Sequence, residues 1–227
     1  TVRRQRQMCI RDRFIIFNDK KVLFDLEEKT FIFDEAYLNF ENYDLEIIGI
    51  AEDEGKNIYA VDITSSNFNY KEQGYKSLID YDLRFILTSL TNNEINLIGR
   101  ANQLLHWIKS NKYCGYCGSA KKFNDEEQAL FCDCNKIMIY PSISPCVLAL
   151  IKKGNQILLA RNALFPEGLF SALAGFIEVS ETAEETIERE IFEEVSLKVK
   201  NIKYFGSQSW PFPSQLMLAY TCEFDSG

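Results

Sequence analysis

The chain has 227 residues, 46% of them apolar, enough for one large core or two to three small ones. No run of about 20 apolar residues occurs, so no membrane-spanning helix is expected, and no secretory signal is visible, which predicts a cytoplasmic protein. A net charge of −8 excludes a general nucleic-acid binder, which would carry a basic surface.

Residues 1–13, TVRRQRQMCIRDR, crowd five arginines and one aspartate into a segment with no apolar period. They read as a non-native, adaptor-derived extension and are set apart from the fold. Without their +4 the remainder carries −8 − 4 = −12. Residues 14–110 read as a small α+β domain with a connecting helix, suited to packing or dimerisation. Its strands are expected at Phe14–Phe17, Lys21–Leu26, Thr30–Phe33, Glu46–Ala51 and Asn57–Ile63, separated by turn signals such as Asn18-Asp19 and Glu54-Gly55. The apolar-rich stretch Asp80–Leu90 predicts a helix. Thr91-Asn92-Asn93-Glu94 is a capping-box pattern that opens a second helix to about Ser110, with Ile95, Ile98, Leu104, Leu105 and Ile108 on its apolar side. His106, the one histidine of the chain, falls on that helix and reads as a packing or surface residue.

Seven cysteines without an export signal point to metal or free thiols rather than disulfides. Cys114-Gly115-Tyr116-Cys117 and, after fourteen intervening residues, Cys132-Asp133-Cys134 predict a closed, structural four-thiolate zinc site over residues 111–141, with an unmetallated reduced loop or a redox pair as the alternatives. The second pair is C-x-C, which predicts a tighter second knuckle. From residue 142 onward the chain reads as another domain. Strands are expected at Cys146–Ile151, Gln156–Leu159, Ile202–Gly206 and Leu216–Phe224, and their apolar runs suit a sheet buried on both faces. Cys146 and Cys222 read as small buried apolar residues.

The stretch Gly175–Leu197, GFIEVSETAEETIEREIFEEVSL, predicts a helix with two distinct sides. Ala183, Ile187, Ile191 and Val195 recur every four residues as a packing stripe. Glu190, Glu193 and Glu194 stand at i, i+3 and i+4 and share one face. Like charges at that spacing repel, and a hard divalent cation with oxygen ligands, Mg²⁺ or Mn²⁺, relieves the repulsion. The competing reading is a solvated acidic face.

This spacing resembles the Nudix box, G-x5-E-x7-R-E-U-x-E-E-x-G-U, at Gly175, Glu181, Arg189, Glu190, Glu193 and Glu194. Only the last glycine departs, replaced by Ser196. Downstream, Ser207-Gln208-Ser209-Trp210-Pro211-Phe212-Pro213-Ser214-Gln215 resembles the SQPWPFPxS signature of the NADH pyrophosphatase family, matching six of its eight fixed positions. That resemblance covers roughly residues 14–227. It implies an α+β / α/β architecture: a Nudix α/β/α sandwich with a mixed sheet at 142–227, preceded by the zinc ribbon and the N-terminal domain.

The activity implied is metal-dependent hydrolysis of the pyrophosphate bond of NADH or NAD⁺ to a nicotinamide mononucleotide and AMP, with NAD-capped RNA as a substrate of some members. Glu190, Glu193 and Glu194 would hold Mg²⁺ or Mn²⁺, Arg189 would orient them and Glu181 would support the cluster. Tyr140 and Phe176 would sandwich a base, and Gln208, Ser207 and Trp210 would line the substrate pocket. A homodimer sharing that pocket is implied, as is a further metal-binding glutamate beyond residue 227, so that the catalytic domain reads as incomplete at its C-terminus. Two rival readings stand beside this one: a hydrolase of ADP-ribose or another nucleoside diphosphate derivative, and a zinc-ribbon interaction module carrying a degenerate Nudix domain.

Overall fold

The computed structural model describes residues 12–227, apart from 35, 36, 38, 39, 41, 42, 44, 73 and 125, with Thr88 described by its backbone alone. The chain forms two compact units, residues 1–141 and 142–227. Residues 1–11, most of the segment read as adaptor-derived, lie outside the described residues. The last two residues of that segment belong to the fold. Asp12 is buried and accepts a hydrogen bond from Asn57. Arg13 opens the first strand and pairs with Asp53 at 3.0 Å.

The first unit is built on a sheet of order β4-β5-β1-β2-β6, with β3 on the edge of β1. Its strands are β1 (Arg13–Asn18), β2 (Lys21–Asp25), β3 (Ile32–Asp34), β4 (Glu46–Asp53), β5 (Lys56–Asp62) and β6 (Leu78–Asp82). Phe14, Ile16, Leu23, Phe33, Tyr59 and Val61 form its core. The helix expected over Asp80–Leu90 begins later. Residues 78–82 pair in register with β2, Lys21 opposite Asp82 through Asp25 opposite Leu78. Asp82 then caps the short helix α1 (Leu83–Ile86), which runs into a 3-10 turn at Leu87–Ser89. The partner strand β2 overrides the local helical pattern.

Helix α2 (Asn92–Ser110) starts at Thr91 with both capping-box hydrogen bonds formed. Ile98, Leu104, Leu105, Trp107 and Ile108 are buried and Ile95 is half-buried. His106 is exposed. A small sheet, β7 (Lys122–Asn124), β8 (Ala129–Phe131) and β9 (Met138–Ile139), carries the cysteine loops.

The second unit is a mixed sheet of order β11-β10-β14-β13 with β12 on the edge of β10. Its strands are β10 (Ser144–Lys153), β11 (Gln156–Leu158), β12 (Leu173–Phe176), β13 (Lys198–Trp210) and β14 (Gln215–Ser226). β10 and β14 run parallel and the other pairings are antiparallel. One helix, α3 (Ala183–Val195), packs on this sheet. Its Ile187 and Ile191 are fully buried among Val147, Ala149, Ile151, Leu173 and Tyr220, with Ala183 and Val195 at the margin. Burial of each isoleucine contributes about 1.5–3 kcal/mol.

The expectation of a sheet buried on both faces needs correction for the described residues. Val147, Ala149 and Ile151 meet α3, whereas the alternating Leu148 and Leu150 are half-buried and Ala174 and Phe176 are exposed. Alternation along each strand sends every second side chain to the face that α3 does not cover. Cys146 and Cys222 are buried, as expected.

Candidate functional site

Helix α3 presents its charged side through one arginine. Arg189 donates from Nε to Glu181 Oε1 at 2.6 Å and from Nη2 to Glu181 Oε2 at 2.9 Å, a bidentate pair. Nη1 donates to Glu190 Oε1 at 2.9 Å and to Glu193 Oε2 at 3.3 Å. Nη2 also donates to the Phe176 carbonyl at 3.0 Å. All five N–H donors of the guanidinium are thereby used, three carboxylates are tied to one point, and the helix is tied to β12. The Arg189 hydrogen bonds, and then the Glu178 N–H, hold the Glu181 carboxyl down to about 2.

Glu190 lies against β12 at Gly175. A Cβ on residue 175 would fall 1.9 Å from Glu190 Cδ and 2.1 Å from its Oε1. The glycine is therefore a notch in the strand that the carboxylate occupies.

Four carboxylates, Glu181, Glu190, Glu193 and Glu194, share this side of α3 with one guanidinium, which leaves a charge of −4 + 1 = −3 when all are ionised. Glu193 and Glu194 also occupy the last turn of α3, which contains no basic residue. The negative end of a helix is where carboxylates are least favourable. Burial, and then the Glu190 charge, raise the Glu194 carboxyl. A hard divalent cation relieves each of these penalties, and the donor set is all oxygen, so the residues fit Mg²⁺ or Mn²⁺.

Two capping devices set where this helix starts and stops. Thr182 and Glu185 form a second capping box, with Thr182 N donating to Glu185 Oε2 at 2.8 Å and Glu185 N to Thr182 Oγ1 at 3.2 Å. At the other end Ser196 adopts φ 56°, ψ 30°, the left-handed conformation that favours glycine.

The strand register sorts the remaining candidates. Phe176, Cys146, Met217 and Gln208 stand directly opposite one another across β12, β10, β14 and β13. Their side chains share the face turned away from α3. Phe176 and Gln208 are both exposed there, about 14 Å apart over three strand intervals. The next row, Gly175, Val147, Leu218 and Ser207, faces α3. Ser207 is thus separated from Gln208 by the sheet. Trp210, two residues after Gln208, returns to the Phe176 face and packs edge-on against Phe212 with ring centroids 4.9 Å apart. Tyr140 belongs to the first unit, where its hydroxyl donates to Glu127 at 3.1 Å.

Cys114, Cys117, Cys132 and Cys134 bring their four sulfurs within 4.8 Å of one another, with Cys114 and Cys132 buried and the other two exposed. The sulfurs pair across the knuckles, Cys114 with Cys134 at 3.6 Å and Cys117 with Cys132 at 3.5 Å. The two knuckles close with the same hydrogen-bond pattern. Gly118 N donates to Cys114 O and Lys136 N to Cys132 O, at 2.9 and 2.8 Å. Both loops close at the fourth residue, and that residue has positive φ in each. The Ser119 hydroxyl and N–H lower the Cys117 thiol to about 6, whereas the hydrogen bond from Cys132 raises Cys134, so the crowded thiols do not ionise alike. Thiols crowded together in this way suit a soft or borderline cation, and the cluster could hold a metal.

Residues 142–226 match the model of the NUDIX domain. That part of the chain is a Nudix domain. Among known proteins, the chain is 44% identical over 131 residues to the NAD-capped RNA hydrolase NudC of Pseudomonas syringae pv. syringae, covering 58% of this chain and 47% of that protein. It is 41% identical over 152 residues to the protein of the same name from Escherichia fergusonii, covering 67% of this chain and 56% of that protein. The chain thus spans about half the length of the curated relatives it matches. Among solved structures, it is similar to a NUDIX hydrolase from Nitrosomonas europaea at 24% identity and a TM-score of 0.44, over 51% of this chain and 69% of that one.

Within the Nudix box, sequence reasoning missed three contacts. The Thr182 capping box was legible as T-x-x-E, the pattern read correctly at Thr91. The Gly175 notch and the Arg189 bond to the Phe176 carbonyl join residues more than a dozen positions apart, and no local pattern signals them. No helix among the described residues is long and apolar enough to cross a membrane.

Proposed function

We propose that this chain is a hydrolase of the pyrophosphate bond of NADH or NAD⁺, releasing a nicotinamide mononucleotide and AMP, and that NAD-capped RNA is a substrate of the same site. The observation that carries the reading is the seating of Glu190 in the Gly175 notch with Glu193 tied to the same guanidinium. It seats one carboxylate against the strand and ties a second to the same guanidinium near the negative end of the helix, oxygen donors of the kind a diphosphate-bound Mg²⁺ or Mn²⁺ takes.

Glu190, Glu193 and Glu194 would hold the ions. Bound there, such ions neutralise the diphosphate and lower the pKa of an attacking water. Arg189 and Glu181 keep the carboxylates from splaying apart. Phe176 offers a ring for base stacking, and Gln208 a polar group on the same face some 14 Å away across three strand intervals, a separation suited to a two-part ligand. Trp210 extends the Phe176 face, and the chain works as a homodimer. The relatives' name and the Ser207–Gln215 array support this substrate over ADP-ribose.

The four cysteines hold one structural Zn²⁺ in the ribbon of residues 111–141, between an N-terminal domain at 14–110 and the Nudix domain at 142–227. None of the described cysteines forms a disulfide, in keeping with a cytoplasmic protein.

The test is product analysis of the chain supplied with NADH, NAD⁺, NAD-capped RNA or ADP-ribose, each with Mg²⁺ or Mn²⁺. Nicotinamide mononucleotide and AMP from the dinucleotides are expected, with about one zinc per chain by metal analysis. Cleavage of ADP-ribose alone would replace the substrate assignment, and an intact fold without zinc would remove the ribbon assignment.

A further inference from the structure

Thr186 is fully buried on α3, one helical turn before Glu190. Its hydroxyl lies 2.9 Å from Glu181 Oε2 and 2.9 Å from the Thr182 carbonyl. Both are acceptors, so the single hydroxyl proton is divided between a neutral carbonyl and a carboxylate, and the charge-assisted bond is the stronger. Glu181 in turn grips Arg189 through both oxygens, and Arg189 holds Glu190 and Glu193. We infer that Thr186 is a positioning residue for the carboxylate cluster: its buried hydroxyl fixes the Glu181 carboxylate, which fixes the guanidinium that orients Glu190 and Glu193.

Residue 186 falls within the seven unspecified positions of the box, so the motif does not assign it. The hydroxyl is well placed for the task because Thr186 is fully buried and the Glu181 side chain is only 20% exposed, surroundings that strengthen a charge-assisted bond. Loss of the bond frees one carboxylate oxygen, and the bidentate grip on Arg189 loosens from that end. The inference rests on the metal-site reading given above.

The experiment is an Mn²⁺ titration of the full chain followed by the paramagnetic signal of free ion, with a metal-free thermal melt of each variant. Mn²⁺ prefers oxygen ligands, so it reports on the carboxylates rather than the thiols. Thr186→Val keeps the shape and removes the hydroxyl; Thr186→Ser keeps the hydroxyl. Thr186→Val is expected to weaken Mn²⁺ binding about tenfold, the low end for outer partners of metal ligands, with Thr186→Ser within about twofold of the parent chain. In a cycle with Glu181→Gln, the double variant should bind no more weakly than Glu181→Gln alone, because both changes cut the same chain of bonds.

A hydroxyl serving only to back-bond the Thr182 carbonyl would shift the melt and leave Mn²⁺ affinity alone. Parent-like affinity in Thr186→Val, failure of Thr186→Ser to restore binding, or additive losses in the cycle would each overturn the inference while leaving the metal site standing. Absence of Mn²⁺ binding by the parent chain would overturn both. If Thr186→Val melts too low for titration, Thr186→Ala carries the same comparison.

Discussion

Replacing Gly175 by alanine tests the geometry on which the proposed metal site depends. The added Cβ would stand 1.9 Å from Glu190 Cδ, and ordinary contact begins at 3.4 Å, so the carboxyl must retreat by about 3.4 − 1.9 = 1.5 Å. The side chain of Glu190 is flexible, but its Oε1 is tied to Arg189 Nη1 at 2.9 Å. A retreat of that size breaks a hydrogen bond between charged groups, which contributes about 1.5–3 kcal/mol. Alanine in a strand offsets about 0.5–1 kcal/mol through its smaller backbone entropy loss. The net loss of about 1–2 kcal/mol lowers the metal-free melting temperature of a domain this size by roughly 5 °C or more. The larger effect is on ion binding, because one ligand of the cradle no longer occupies its place. Mn²⁺ affinity and NADH hydrolysis should each fall by at least about tenfold. Both are measured on the same preparation, by metal titration and by chromatographic detection of AMP. A Gly175→Ala chain with unchanged melting and unchanged Mn²⁺ affinity would show that Glu190 does not need the notch.

Glu194→Gln should lower kcat about 10²-fold, roughly 3 kcal/mol of transition-state stabilisation, while the metal-free melt holds or rises because a raised, crowded carboxyl has been neutralised; near-normal kcat would remove Glu194 from the mechanism. Ser196→Gly should stabilise the chain by up to about 1 kcal/mol in chemical denaturation, since the residue has φ 56° at the C-cap of α3, and no gain would mean the turn is unstrained. Glu181 titrates at about 2 in the fold against an ordinary value of 4.5. A depressed carboxyl contributes stability that is present above the unfolded value and lost as pH falls through the folded one. The chain should therefore lose stability between about pH 4.5 and 2 more steeply than its Glu181→Gln variant, and parallel melting curves for the two would refute the ion pair.

Helices α2 and α3 were legible because everything that defines them lies within a few residues. The caps at Thr91 and Thr182, the four-residue apolar stripe ending at Val195, and the crowding of Glu190, Glu193 and Glu194 are all visible within one or two turns. The thiols were legible for a similar reason, since knuckle spacing reports directly on which sulfurs can meet. The box also named Gly175, Glu181 and Arg189 as members of a motif, without giving Gly175 a physical task.

What only the tertiary structure decided involves partners far apart in the chain. Residues 78–82 form a strand because β2, more than fifty positions earlier, supplies the register. Phe176 and Gln208 share a face, and Ser207 does not, because four strands align in one register across the sheet. The Glu190 notch and the arginine bond to the Phe176 carbonyl need β12 and α3 to be packed before either has meaning. The Thr186 anchor for Glu181 spans a single helical turn, yet it stands out only once Thr186 is known to be buried. Periodicity states which residues line up along one element; it carries no information on which atom of a neighbouring element comes within hydrogen-bonding distance, and that distance is what makes acidic residues into a site.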